Sequence, residues 1–234
     1  SKGFTASPDA LEHEQGFLNA VSPKGDVDRH HPVEQLGKPF TIQTRRMNIK
    51  KYPTCYYTHR SLDGILNYLK KHPLQPEAIQ SIEVTMSREH ATILRNHHPQ
   101  DGLAAKFSIE FAMACAIVNG RVGLTQLQDD VVQMPDIQRL MPLVHVHFSE
   151  HYDPKTHGAA YTDLVVITTV DAKQHTCDPI QQATGHSDLP LTDEEQKAKF
   201  LDCLAYGQYR GNATALFNWL RQIEQEHIST FQTF

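Results

Sequence analysis

No run of apolar residues in this sequence approaches the roughly 18 to 20 needed to cross a bilayer. The longest candidate, Phe107 to Val118, is interrupted by Ser108 and Glu110. A membrane role is therefore not expected. Cysteine is sparse as well: Cys55, Cys115, Cys177 and Cys203 stand far apart and form no CxxC pair. That gives no support to a cysteine zinc site, and a disulfide framework is not expected in a chain this long. Reduced thiols in a cytoplasmic compartment are the simpler expectation. A basic excess is missing too. Lys plus Arg total 22 against 27 Asp plus Glu, a formal net charge of −5. A chain that wraps nucleic acid usually carries positive charge to replace phosphate counterions, so no nucleic-acid partner is expected. GxGxxG, Walker, GxSxG and HExxH motifs are all absent, which removes the usual marks of dinucleotide, P-loop, serine-hydrolase and zincin chemistry.

What is present is ordinary globular material. The 234 residues, 39% of them hydrophobic and 21% charged, are enough for a large core and for one to two domains. The chain opens Ser1-Lys2-Gly3-Phe4, without an initiator Met, an apolar signal segment or a transit-type pattern. It shows no internal repeat.

Residues 8 to 21 read as a helix, with Pro8 near its start, Asp9 and Glu12 in its first turns and a stripe of Leu11, Phe17, Leu18 and Val21. Residues 22 to 40 are polar and proline-containing, a connection with a boundary in it. Phe40 to Ile49 reads as extended. Leu62, Ile65, Leu66 and Leu69 fall at helical spacing within residues 59 to 71, and Pro73 and Pro76 stop that helix. Ile82, Val84 and Met86 alternate with polar neighbours, so residues 79 to 86 predict a half-buried strand. Ala104 to Asn119 is apolar on most sides and predicts one deeply buried helix, closed by Gly120. A short helix follows at 136 to 141, with strands at 143 to 148 and 163 to 170. A turn at Asp171-Ala172 folds the latter back onto 174 to 180. Thr192 with Glu195 forms a capping box, and a last helix runs from Ala213 to about Glu224. The interleaving lacks a βαβ rhythm, so an α+β middle flanked by helical ends is expected.

Three stretches carry candidate chemistry. Residues 48 to 59 bring Lys50, Lys51, Cys55, three tyrosines and His59 together just before a helix, with Thr58 as a candidate cap. Two ammonium groups near a helix start suit a carboxylate or phosphate; the alternative is a solvated basic turn. His145 and His147 share one side of a strand, with His151 beyond, a spacing that allows a metal-dependent hydrolase as a rival reading. The third is the start of the apolar helix, where Lys106, Ser108 and Glu110 either face a cavity or are satisfied locally.

In this order the stretches resemble the MmgE/PrpD family, whose members include 2-methylcitrate dehydratase, cis-aconitate decarboxylase and iminodisuccinate epimerase. The resemblance is carried by Lys2-Gly3-Phe4-Thr5 with Gly16-Phe17, by Ile49-Lys50-Lys51-Tyr52-Pro53 ending at His59, and by Ala105-Lys106-Phe107-Ser108. It continues through Asn119-Gly120-Arg121-Val122-Gly123-Leu124 and Gly185-His186, followed by Pro190-Leu191-Thr192 and Lys199-Phe200. It implies an α+β lid with a small, mostly antiparallel sheet at about residues 40 to 188. Residues 1 to 39 would end an all-helical domain, and residues 189 to 234 would return to it.

The resemblance implies a cofactor-independent lyase or isomerase acting on a small di- or tricarboxylate. The expected reaction is dehydration of a 2-methylcitrate-like acid, with epimerisation or decarboxylation as alternatives. It also implies a homodimer, a cytoplasmic setting and no metal. Lys50 matches the lid lysine, expected to anchor a carboxylate or stabilise enolate-like charge. His59 is expected to orient substrate or shuttle a proton. Lys51, Cys55 and Lys106 are expected beside the substrate. Two departures stand out: Phe111 replaces a tyrosine and Cys55 a histidine of decarboxylase-like relatives, which speaks against decarboxylation. Family members are about twice this length. The chain is therefore expected to be a C-terminal fragment or one subunit of a split enzyme, with activity depending on a helical half, or else a non-catalytic piece that dimerises or regulates.

Overall fold

A computed structural model of the chain describes residues 8–22, 37–156 and 158–224. The Lys2-Gly3-Phe4-Thr5 motif lies outside the described residues. The chain separates into two compact units, residues 1–46 and 47–234.

In the first unit the helix read across residues 8 to 21 shrinks to α1, Phe17–Val21. Before it the chain turns back on itself: Phe17 N–H donates to Ala10 O at 3.0 Å and Leu18 N–H to Leu11 O at 3.0 Å. Gly16 permits this, since a Cβ there would lie 2.8 Å from Ala10 O. The proposed stripe is not a buried one; Leu11, Phe17 and Val21 are all exposed. Residues 40 to 49, read as extended, instead contain a short helix, α2, Thr41–Arg45. A strand with no neighbour leaves its backbone groups unpaired, whereas a helical turn closes them locally.

The second unit is an α+β fold. It opens with a 3₁₀ turn at Tyr56–Thr58 that runs into α3, His59–Lys71. Leu62, Ile65 and Leu66 form the buried face of α3. Each such side chain contributes roughly 1.5–3 kcal/mol when fully buried. Strand β1, Ile79–Met86, buries Ile82, Val84 and Met86. Then come α4, Arg88–Ile93, and α5, Gly102–Ala105.

The single helix expected from 104 to 119 is broken. After α5 the chain straightens at Ser108, whose hydroxyl accepts from Phe111 N–H at 3.0 Å and so caps a separate helix, α6, Ile109–Asn119. Serine competes well for that role because its oxygen replaces a missing helical partner. Residues 109 to 117 of α6 are buried throughout, and Gly120 closes the helix at φ 63°. Helices α7, Asp129–Val132, and α8, Pro135–Leu140, precede β2, Val144–Phe148. Strands β3, Leu164–Thr169, and β4, Gln174–Thr176, complete the sheet. Helices α9, Asp193–Tyr206, and α10, Ala213–Leu220, form the tail. The last ends before Glu224, where turns replace helix.

The strand order is β2-β1-β3-β4. β3 is antiparallel to β1 and β4, but β2 lies parallel to β1, with Val84 opposite Val146. The sheet is thus mixed, with two of its three pairings antiparallel as expected and one parallel. The cause is the long excursion between β1 and β2: parallel neighbours need a crossover, and α4 to α8 supply it. Helix α6 sits centrally, against α3, α8 and β2. No helix among the described residues is long and apolar enough to cross a membrane.

Candidate active-site segment and two cavities

The segment from Asn48 to His59 is pinned at several points. Ile49 N–H donates to Gly185 O at 2.7 Å. Gly185 has φ 94°, and a Cβ on it would come 2.0 Å from Ile49 O, so no other residue fits there. Farther on, Cys55 N–H donates to Lys106 O at 2.8 Å. Thr58 was a candidate cap for α3, but its hydroxyl donates to Cys55 O at 2.9 Å and sits 2.8 Å from the Thr54 hydroxyl. The preceding 3₁₀ turn already gives Thr58 helical backbone, which removes the place for a cap.

Lys50 belongs to the exposed part of this segment, and its Nζ donates to Thr54 O at 3.0 Å. His59 is 0% exposed. Its ring stands edge-on to Tyr52 at 5.1 Å and tilted against Tyr56 at 5.0 Å. Neither ring nitrogen has a hydrogen-bond partner. Burial, reinforced by the nearby Lys50 charge, lowers the His59 pKa to about 4; the carbonyls of Thr54 and Tyr52 pull the other way without reaching hydrogen-bond geometry. At neutral pH the ring is uncharged. Cys55 is a half-buried free thiol, and Lys106 is half-buried in the turn between α5 and α6.

Lys51 goes elsewhere. Its Nζ lies 2.9 Å from Glu195 Oε1 on α9 and 3.6 Å from Asp63 Oδ1 on α3. Asp63, buried, also accepts from the Tyr52 hydroxyl at 2.7 Å and from Thr184 N–H at 2.6 Å. Burial and then the Asp63 charge hold the Tyr52 phenol far above its ordinary pKa. The structure thus brings Lys50, Cys55, His59 and the Lys106 backbone together and turns Lys51 away from them.

Two cavities flank this region, and Lys50 lines neither. The larger, about 520 Å³, lies between α3, the Gly120–Gly123 turn and α9, with Lys51, Lys70, Arg121, Lys199, Glu195 and Asp202 on its walls. The smaller, about 270 Å³, is walled by Tyr56, Arg60, His90 and His186 among others. Arg60 Nη2 lies 2.9 Å from Asp163 Oδ1 and its Nη1 donates to Ala160 O at 2.9 Å. Burial raises the Asp163 pKa to about 7 against the opposing pull of Arg60. His90 stacks on Tyr57 at 3.8 Å, and burial lowers its pKa to about 4.

Residues 52–215, more than half of the chain, match the MmgE/PrpD C-terminal domain. The chain belongs to the MmgE/PrpD family. Its residues 52–215 correspond to the C-terminal domain of that family, a family of hydro-lyase and isomerase type. No curated protein matches the sequence. In this MmgE/PrpD chain Cys55, His59 and Lys106 fall inside the matched residues, while Lys50 and Lys51 immediately precede them.

Several residues of this MmgE/PrpD chain escaped sequence reasoning. Asp63, Arg60 and His90 organise the two sides of the segment. One signal existed: Asp63 stands four residues after His59 and directly after Leu62, a charge on the apolar side of an otherwise regular helix. The histidines of β2 do not form a metal centre in this arrangement. His147 pairs with Glu83 across the sheet, and no three His, Cys, Asp or Glu side chains among the described residues are placed to hold a metal.

Proposed function

We propose that this chain supplies the lid side of a cofactor-independent lyase that dehydrates a small di- or tricarboxylate such as 2-methylcitrate. The observation that supports the reading is the conjunction of Lys50, just ahead of the family-matched residues, with an enclosed, uncharged His59 near their start. In such a reaction a proton leaves the carbon beside a carboxylate, electron density passes to that carboxylate, and a double bond forms as hydroxide departs with a proton as water. Lys50 serves as the carboxylate anchor. An ammonium there neutralises charge as it develops, which makes the neighbouring carbon–hydrogen bond more acidic. His59 is enclosed, so it acts as a positioning residue. Its neutrality leaves the Lys50 charge unopposed, and its ring holds Tyr52 and Tyr56 on either side of the anchor segment.

Cys55 and Lys106 form the bed of the same segment, and Lys51 holds α9 through Glu195. The proton acceptor comes, in this proposal, from the helical portion that accompanies the C-terminal domain in the family. Homodimeric assembly and a cytoplasmic setting belong to the same proposal. Epimerisation is the nearest alternative, with proton return on the opposite face in place of water loss. Decarboxylation is the weaker one, because Phe111 is fully buried hydrocarbon and brings no hydroxyl.

The test is an ultraviolet assay for a new conjugated double bond, offering 2-methylcitrate to the chain alone and to the chain combined with a helical half of the family. Lys50→Ala should lower kcat/KM by about a hundredfold, the loss typical of one charge-stabilising group. Equal rates would remove Lys50 from the mechanism. No product in either form would favour a non-catalytic role.

A further inference from the structure

Helix α9 stands away from the body of the second unit. None of its 14 residues is buried. What ties it down is polar: Lys51 with Glu195 at 2.9 Å, Arg121 with Asp202 at 2.8 Å, and the Gln128 amide with the Tyr206 hydroxyl. Beneath it lies the larger cavity, about 520 Å³. Ala198, Leu201 and Ala205 recur at helical spacing and line this cavity from α9, opposite Leu66 and Val122. The three α9 residues stay partly or wholly exposed because the cavity separates them from a packing partner. An apolar body entering there would cover them, and that burial is favourable.

The charges on the same walls do not balance. Four cations, Lys51, Lys70, Arg121 and Lys199, stand against two anions, Glu195 and Asp202, in a chain whose net charge is −5. The two carboxylates are taken by Lys51 and Arg121. Lys70 and Lys199 have no hydrogen-bond or ion-pair partner among the described residues. Lys199 is moreover half-buried, so its ammonium gives up hydration and gains nothing in return. Its charge reaches the His59 ring, where it adds to burial and to the Lys50 charge in opposing protonation.

These two features set the ligand's chemistry. An ammonium binds as a point charge, without the paired geometry by which arginine grips a carboxylate. Two unmatched ammonium groups are neutralised by one group carrying about two negative charges. A phosphate monoester carries about −1.5 to −2 at pH 7 on three acceptor oxygens, whereas a single carboxylate carries only about half of that. The volume of about 520 Å³ equals roughly 17 waters, which leaves room for an organic body beside the phosphate.

We propose that the larger cavity is a binding site for a phosphate monoester with an apolar body, its phosphate held by Lys70 and Lys199 and its body covered by α9. The site is apart from Lys50. It lies at the Gly120 end of α6, whereas Cys55 N–H meets Lys106 O near the Ser108 end. The assignment does not depend on which reaction the chain takes part in. A bound ester would join α3 to α9 and add to the few polar ties that now hold that helix.

Calorimetric titration of the whole chain with phenyl phosphate tests this, with the backbone amide resonances of Gly120 and Gly123 reporting where it binds. Phenyl phosphate should bind saturably and shift both amides. Phenol, which lacks the charge, should shift neither, and inorganic phosphate, which lacks the body, should bind more weakly. Lys70→Ala and Lys199→Ala should each weaken phenyl phosphate about fivefold, the scale of a partly screened ion pair, and together about 25-fold. Lys50→Ala should leave that affinity unchanged. Several results would overturn the assignment: no saturable shift at Gly120 and Gly123, benzoate binding as tightly as phenyl phosphate, or undiminished affinity in the double lysine variant. Displacement of phenyl phosphate by a helical half of the family would also overturn it, marking the cavity as a seat for protein.

Discussion

The two cavities of the second unit differ in how their charges are spent. The larger is rimmed by pairs that reach across to α9: Lys51 with Glu195, and Arg121 with Asp202 at 2.8 Å. Those groups all keep contact with solvent: Lys51 and Glu195 are 23% and 34% exposed, Arg121 and Asp202 56% and 32%. The smaller has one pair, Arg60 with Asp163, exposed by only 12% and 0%, together with neutral rings and unmet donors. Volume alone would rank them the other way. Solvent screens a partly exposed pair, whereas a buried pair interacts at close to full strength. The two cavities are set apart by how deeply their ion pairs are buried, not by their size.

The sharpest way to break that comparison is to remove one cation from each side. Arg60→Ala removes the partner of Asp163, which then keeps its proton as an unsatisfied buried acid, and should destabilise the fold by about 1–3 kcal/mol. Arg121→Ala removes an exposed partner and should cost less than about 1 kcal/mol. Urea midpoints of the two variants measure this. Similar losses would show that the two environments are not distinct.

A second comparison is with pH. Folded His59, at about 4, binds its proton less readily than the unfolded side chain at 6.5. Its contribution is therefore complete above pH 6.5 and is lost as pH falls through the window down to about 4. The full drop is worth about 3 kcal/mol. Asp163 runs oppositely: its raised pKa gives a contribution complete below its ordinary 3.8 and lost as pH rises toward 7. His59→Phe isolates the histidine, since Asp163 is common to both proteins. The stability difference between parent and variant should shift in favour of the variant by about 3 kcal/mol between pH 7 and pH 4. A difference independent of pH would mean that His59 is not held neutral.

The smallest effect concerns the α9 side. Thr192→Ala removes the hydroxyl that accepts from Glu195 N–H at 3.1 Å and should cost about 1 kcal/mol. The loss is expected in thermal unfolding, and it should loosen Glu195 from Lys51. Unaltered melting would show that the capping box adds nothing to the docking of α9.

Local signals were legible in the sequence wherever one residue's neighbours along the chain decide its state. The apolar spacing of α3, the alternation of β1, the Thr192 capping box and the Gly120 terminus are all of this kind, and each is present. The break at Ser108 was not legible, because the same residue is a tolerable helix interior or a cap depending on its backbone angles. Residues 8 to 21 and 40 to 49 misled for a related reason: their patterns imply a partner surface, and without one the chain makes local turns. The candidate segment was legible as a cluster. Its sidedness was not, since whether Lys51 meets Glu195 or a ligand depends on a helix more than a hundred residues later. Arg60 and Asp163 were invisible as a pair for the same reason.

Gly185 touches neither cavity's donors nor Lys50, yet its backbone occupies the space on which the Ile49 carbonyl rests. The tolerance of this position to change is thus decided by a lysine's neighbour rather than by any ligand. A mutational survey scored by activity would rank Gly185 with the binding residues, and one scored by ligand contact would overlook it. Two short stretches far apart in the chain form, at this point, a single heritable unit.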